Sequence, residues 1–146
     1  MVECPNLVFI KEQPVLIFCP QGIAQEDFAY QNIYPNTFVV GEQFDVNNVT
    51  LTNPQPIQNL DEGFDLYASQ VINAPDGRVL SVGWAWLPEL TYPTDEQNWA
   101  HCLSLVKELS IKQNRLYQTP ITELEVLRQK ATPLAGELGA LTPLVK

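Results

Sequence analysis

Basic side chains are scarce in this sequence. Eight Lys and Arg face seventeen Asp and Glu across 146 residues, with a single His, for a formal charge of −9. Phosphate neutralisation needs clustered cations, so no nucleic-acid partner is expected of so acidic a chain. Cysteine is sparse too: Cys4, Cys19 and Cys102 are an odd count without Cys-x-x-Cys or Cys/His spacing. That pattern predicts reduced thiols rather than a disulfide framework or a zinc site, and no metal or other cofactor is expected. No apolar run approaches the ~20 residues that span a bilayer, and no basic segment leads into an apolar stretch with a small-residue cleavage site. Neither a membrane partner nor an export signal is therefore expected, and the default location is cytoplasmic. Glycine-rich phosphate loops are missing. So are Gly-x-Ser-x-Gly and any triad pattern around His101, which leaves serine and cysteine nucleophile chemistry unsupported. What the chain does have is apolar material, 45% hydrophobic and 10% aromatic. At this length roughly 70% of the unfolded surface can be buried, enough for a core without staples.

Twelve prolines against seven glycines leave few stretches for a long helix, because an interior proline costs about 3 kcal/mol. The expectation is an all-β chain. Residues 6–10 and 15–19 are apolar, β-branched runs joined by Lys11-Glu12-Gln13-Pro14, read as a four-residue hairpin connection. Residues 36–40 and 49–52 read as a second pair across a polar connection. After Asn53-Pro54-Gln55-Pro56 the organisation repeats, with 65–72 and 79–86 flanking Asn73-Ala74-Pro75-Asp76-Gly77-Arg78, where Gly77 can take a positive φ. The last pair is 102–111 with 116–118, although Trp99, Leu103, Val106 and Leu109 also fit a helical stripe. Beyond Pro120, Thr122-Glu123-Leu124-Glu125 fits a capping box that opens a helical turn or two.

The spacing gives two units of roughly fifty residues, each predicted as a four-stranded antiparallel sheet. Two blades of a β-propeller have that length and strand count. An eight-stranded β-sandwich satisfies the same count.

Paired carboxylates are the minimum equipment of most glycosidases, and the candidates are Glu3, Asp61, Glu62 and Asp65. Asp61-Glu62-Gly63 reads most simply as a solvated turn, and Glu3 as an exposed charge beside a terminus. Trp84 and Trp86 lie two apart on one predicted strand and share a face, as do Asp65 and Tyr67 on its partner. Such a face can hold a sugar, with rings against its C–H surface and carboxylates accepting from its hydroxyls. The same aromatics can equally be core.

The ordered residues resemble a known family. Glu3-Cys4-Pro5-Asn6-Leu7, then the strand Val15-Leu16-Ile17-Phe18-Cys19-Pro20-Gln21-Gly22, are similar to segments of the glycoside hydrolase family 32 enzymes, which include invertases, levanases, inulinases and sucrose-6-phosphate hydrolases. Gly63-Phe64-Asp65-Leu66-Tyr67-Ala68-Ser69-Gln70, Asp76-Gly77-Arg78, Gly83-Trp84, Tyr92-Pro93-Thr94 and the run to Arg128 continue the match in order. The resemblance covers residues 3 to about 130. It implies two blades, the fourth and fifth, of a five-bladed β-propeller over residues 1–121, with 122–146 leading toward a β-sandwich. It also favours a strand over a helix after Trp99. The neighbourhoods Cys19-Pro20-Gln21-Gly22 and Tyr34-Pro35-Asn36 look most like the bacterial sucrose-6-phosphate hydrolases.

Members of that family cleave β-fructofuranosides with retention, using an aspartate nucleophile and the Glu of Glu-Cys-Pro as general acid and then base. The resemblance therefore assigns proton donation to Glu3, and implies that Cys4, Asp65, Tyr67, Trp84 and, less directly, Trp86 face the sugar pocket. A carboxylic acid can protonate the leaving alkoxide as the bond breaks and, once ionised, take a proton from the attacking water. The family's Trp-Met-Asn-Asp-Pro-Asn-Gly and Arg-Asp-Pro motifs are absent from these residues. General acid catalysis alone typically supplies ~10² to 10⁴-fold, short of the ~10⁶-fold or more usual for enzymes. The chain is therefore expected to be an inactive piece of a fructosidase whose partner is a small carbohydrate such as sucrose, sucrose-6-phosphate or a fructan. The alternative is a non-catalytic sugar-binding module. Blades removed from a ring expose apolar faces, which predicts self-association.

Overall fold

A computed structural model describes residues 1–31, 34–63, 65–87 and 90–133. The described residues are nearly all β. The first sheet is built from β1 (Val2–Ile10), β2 (Gln13–Pro20), β3 (Thr37–Val40) and the short β6 (Gln58–Asn59), hydrogen-bonded in that order and all antiparallel. Between β3 and β6 the chain makes a separate two-stranded ribbon, β4 (Gln43–Asp45) with β5 (Thr50–Thr52). The second sheet runs β7 (Leu66–Asn73), β8 (Val79–Ala85), β10 (Lys107–Lys112) and β11 (Arg115–Pro120), with β9 (Cys102–Leu103) adding a short pairing to β8.

Apolar side chains on the facing sides of the two sheets form one core. Val8, Ile10, Val15, Ile17, Phe38 and Val40 of the first sheet meet Val71, Val79, Leu109 and Ile111 of the second, with Leu60 closing the cluster. Val15 and Ile17 are completely buried, at 0% exposure. The first strands of the two sheets, β1 and β7, lie against each other at one edge of this packing.

Several sequence expectations change in detail. The first hairpin turns on two residues, since Gln13 and Pro14 already belong to β2. Lys11 and Glu12 take φ of 49° and 69°, the doubly left-handed backbone that matches the twist of a two-residue hairpin. Residues 49–52 do not pair with 36–40: β3 pairs with β6, and β5 pairs with β4. The polar run that read as a connection is itself a hairpin. Asp45 closes it by accepting from the backbone of Asn47 (2.8 Å) and Asn48 (3.2 Å) and from Asn48 Nδ2 (2.7 Å), a side-chain-built turn.

In the second sheet the expected turn forms, with Gly77 at φ 88° and its N–H donating to Ala74 O at 3.0 Å. The stretch after Trp99 is strand, not helix, but it is broken between β9 and β10. There Ser104 substitutes for a ladder residue: its N–H donates to Gly83 O (2.8 Å), and its hydroxyl accepts from Gly83 N (2.9 Å). Residues 122–127 form a 3₁₀ turn capped at Ile121 without a side-chain cap bond, so the expected box on Thr122 does not form. Glu123 instead makes a fork with Arg78, at 3.0 and 2.8 Å, which holds this turn against the β7–β8 hairpin. Residues 134–146, the rest of the expected connection, lie outside the described residues.

Candidate active site

The site begins with two irregularities at matching places. β1 shifts register between Glu3 and Asn6, and β7 shifts register between Tyr67 and Gln70. In each bulge the residue after the candidate side chain, Glu3 or Tyr67, has a left-handed backbone, Cys4 and Ala68 both at φ 49°. Such a backbone costs about 1–2 kcal/mol at a non-glycine residue. A bulge twists its strand and re-aims the neighbouring side chains. Here the result is a meeting across the seam: the Tyr67 hydroxyl donates a hydrogen bond to the Glu3 carboxylate.

Around that pair the environment is polar but closed. Tyr67 is only 7% exposed, and Glu3 is half-buried rather than a free terminal charge. The polar side chain of Gln21 lies beside the Tyr67 hydroxyl, and the Tyr34 ring lies 5.7 Å away at 54°. Burial, and then the bond to Glu3, push the Tyr67 phenol well above its ordinary value. Glu3 pairs across β1–β2 with Cys19, whose thiol burial pushes up to about 11. The Cys19 thiol donates to Asn36 Oδ1 at 3.6 Å, and Asn36 Nδ2 donates to Ser69 Oγ at 2.6 Å. A buried polar chain thus crosses from the first sheet to the second beside the Glu3–Tyr67 contact.

Trp84 pairs with Tyr67 across β7–β8. Its indole stacks on Trp86 with centroids 4.5 Å apart and planes 11° from parallel, and His101 sits edge-on to both, at 5.4 and 5.3 Å. Tyr92 flanks His101 at 6.1 Å. The tryptophans are half-buried and stand outside the core cluster, so they are available as a platform. Asp65 immediately precedes β7, half-buried, and its carbonyl accepts from Trp86 N at 2.7 Å.

The other carboxylate candidates lie elsewhere. Asp61 accepts from Gly63 N at 2.8 Å and pairs with Lys107 at 3.6 Å, and Glu62 accepts from Asn59 at 3.5 Å. They belong to a turn, as the simpler reading expected. One cavity of about 810 Å³ is lined by Tyr30, Ile57, Leu60, Asp61, Arg115 and Gln118 among others, and by neither Glu3, Tyr67 nor Trp84. It lies apart from the Glu3–Tyr67 contact and the tryptophan pair.

Gln21 and Asn36 are the residues that sequence reasoning passed over as parts of this site. A signal existed for Asn36. An amide opening an apolar strand must find partners when buried, and at 3% exposure it does.

With this geometry in view, comparison with known proteins is decisive. The description "Glycosyl hydrolases family 32 N-terminal domain" matches residues 1–120. The chain belongs to glycosyl hydrolase family 32. A sucrose-6-phosphate hydrolase from Pediococcus pentosaceus is 56% identical over 94% of this chain and 27% of its own length. Another, from Streptococcus mutans, is 52% identical over 89% of this chain and again 27% of its own length. The solved sucrose-6-phosphate hydrolase of Lactobacillus gasseri superposes with a TM-score of 0.82 at 50% identity, covering 88% of this chain and 27% of that one. A family 32 β-fructofuranosidase from Bombyx mori, solved as a variant in complex with sucrose, gives a TM-score of 0.82 at 29% identity over 89% of this chain and 28% of that one. This family 32 chain therefore spans about a quarter of the length of the relatives it matches.

Proposed function

We propose that this chain carries the acid/base half of a retaining β-fructofuranosidase acting on sucrose or sucrose-6-phosphate. Glu3 protonates the leaving alkoxide and then, ionised, removes a proton from the water that attacks the fructosyl-enzyme ester. Tyr67 orients the Glu3 carboxyl group, while Cys4, Asp65, Trp84 and Trp86 border the sugar. The aspartate nucleophile comes from residues beyond these 146. In this reading residues 1–121 are the fourth and fifth blades of a five-bladed propeller and 122–146 lead toward a β-sandwich. The chain alone does not turn over substrate, and a cytoplasmic location suits its free thiols.

The observation that carries the reading is the hydrogen bond from Tyr67 to Glu3 at the seam of the two sheets, in a family 32 chain whose relatives are sucrose-6-phosphate hydrolases. The test compares hydrolysis of sucrose and sucrose-6-phosphate by this chain and by one extended upstream. Turnover is expected only in the longer chain, and its Glu3→Gln variant should lose about 10²-fold or more. A longer Glu3→Gln chain that keeps full activity would remove Glu3 from the mechanism.

The stacked Trp84–Trp86 pair favours a second reading, sugar binding without catalysis. Calorimetric titration with fructose oligomers discriminates, since heat of binding from a chain that stays inactive after extension would support it.

A further inference from the structure

We propose that Asn6 and Asn73 are positioning residues, a reciprocal amide clasp between β1 and β7 that sets the reach between the Glu3 carboxylate and the Tyr67 hydroxyl. The functional part of this inference rests on Glu3 being the proton donor. The clasp itself does not.

Among the described residues β1 pairs only with β2, and β7 only with β8, so the two strands lie side by side as edges of different sheets. Facing edges leave backbone groups that need partners. Asn6 reaches from β1 to β7, donating from Nδ2 to Ser69 O at 2.9 Å and accepting at Oδ1 from Val71 N at 3.1 Å. Asn73 reaches the other way, donating from Nδ2 to Phe9 O at 2.8 Å and accepting at Oδ1 from Phe9 N at 3.4 Å. Each amide offers one strand what a backbone residue would have offered. A primary amide suits this task because it is donor and acceptor in one plane, whereas an ionised carboxylate only accepts and leucine does neither.

Asn6 does more. Its second Nδ2 proton goes to Cys4 O at 2.8 Å, across the bulge that follows Glu3. Both protons and the oxygen of this one side chain are therefore engaged, and they connect the Glu3 bulge to the Tyr67 bulge. Ser69, whose carbonyl Asn6 holds, lies two residues past Tyr67, and its hydroxyl is held by Asn36. With both bulges tied to one amide, the Glu3–Tyr67 contact spans a fixed gap rather than two independently twisting edges.

The test uses the chain as it stands, isotopically labelled for NMR. In the parent protein the Tyr67 hydroxyl proton, assigned by its loss in Tyr67→Phe, should be protected from exchange with water. In Asn6→Leu, the Val71 amide should exchange at least about tenfold faster and the Tyr67 hydroxyl should lose its protection, while the Ile17 and Val39 amides keep theirs. A Tyr67 hydroxyl that stays protected while the Val71 amide accelerates would overturn the proposal, leaving Asn6 a purely structural bridge. Should Asn6→Leu fail to fold, Asn73→Leu reports on the other half of the clasp: the Phe9 amide and the Tyr67 hydroxyl are both expected to accelerate, and acceleration of Phe9 alone counts against positioning. Hydrolysis is not needed for either readout. A failed assignment of Glu3 in the extended chain would therefore leave the clasp standing, and a failed clasp would leave the Glu3 assignment open to its own test.

Discussion

Cys19 is the residue in which the chemistry of the site is most directly measurable. Burial lifts its thiol from an ordinary 9.0 to about 11. The unfolded chain therefore releases this proton near its ordinary value while the folded chain holds it, so the stability that goes with it is complete below pH 9.0 and is lost as pH rises toward about 11. The Tyr67 phenol is shifted in the same direction. Urea midpoints should accordingly fall on going from neutral to alkaline buffer, and should fall less steeply in Cys19→Ala. Alkylation by iodoacetamide gives a second view: near neutral pH the exposed Cys102 should be labelled first and Cys19 much more slowly, because burial both shields its thiol and holds it protonated. Equal labelling of the two in folded protein would show that Cys19 is not buried beside Glu3. At this scale the sequence was informative about identity and poor about contact. Glu3, Tyr67 and Trp84 were singled out because they stand in segments that resemble the family's, and the structure brings Glu3 and Tyr67 into contact. Gln21, Asn36 and the clasp residues were not, because their partners lie across the fold, up to 65 residues away in the case of Asn6 and Val71.

Elements were legible where a local rule decides them. The strands around the Pro75-Asp76-Gly77 turn came out as read, since alternation and a turn-forming glycine act within a few residues. The first hairpin shows where local rules fall short. Lys11 and Glu12 both adopt positive φ without the Asn-Gly chemistry that normally signals it, so the loop read as four residues when it is two. Replacing the pair by Asn and Gly should relieve that backbone, raising stability by about 1 kcal/mol. Chemical denaturation checks this, and a loss of stability would show that the turn is not left-handed. The partner of β3 was equally hidden. Nothing within residues 36–52 shows that β3 will pair with two residues at 58–59, because that pairing follows from how the chain returns after the β4–β5 ribbon.

The whole molecule presents apolar surface in more than one place. Leu103 (71%), Leu105 (60%), Ile72 (58%) and Tyr117 (43%) on the second sheet and its β8–β10 connection are exposed, as is Phe9 (45%) on β1. Surfaces of this kind are usually covered, so the isolated chain is expected to associate with itself. Sedimentation at increasing concentration should show a rising average mass, reduced in a Leu103→Lys, Leu105→Lys double variant. A monomer at every concentration would count against the expectation. By itself the sequence determined the β class, the turn at Pro75-Asp76-Gly77 and the family, since alternation, turn chemistry and motif identity are properties of neighbours along the chain. Only the tertiary structure decided that β1 and β7 lie edge to edge, that matching bulges turn Glu3 and Tyr67 toward each other, and that amides bridge the seam. Those outcomes depend on the packing of two sheets against a common core, and no local stretch of either sheet encodes the other's position.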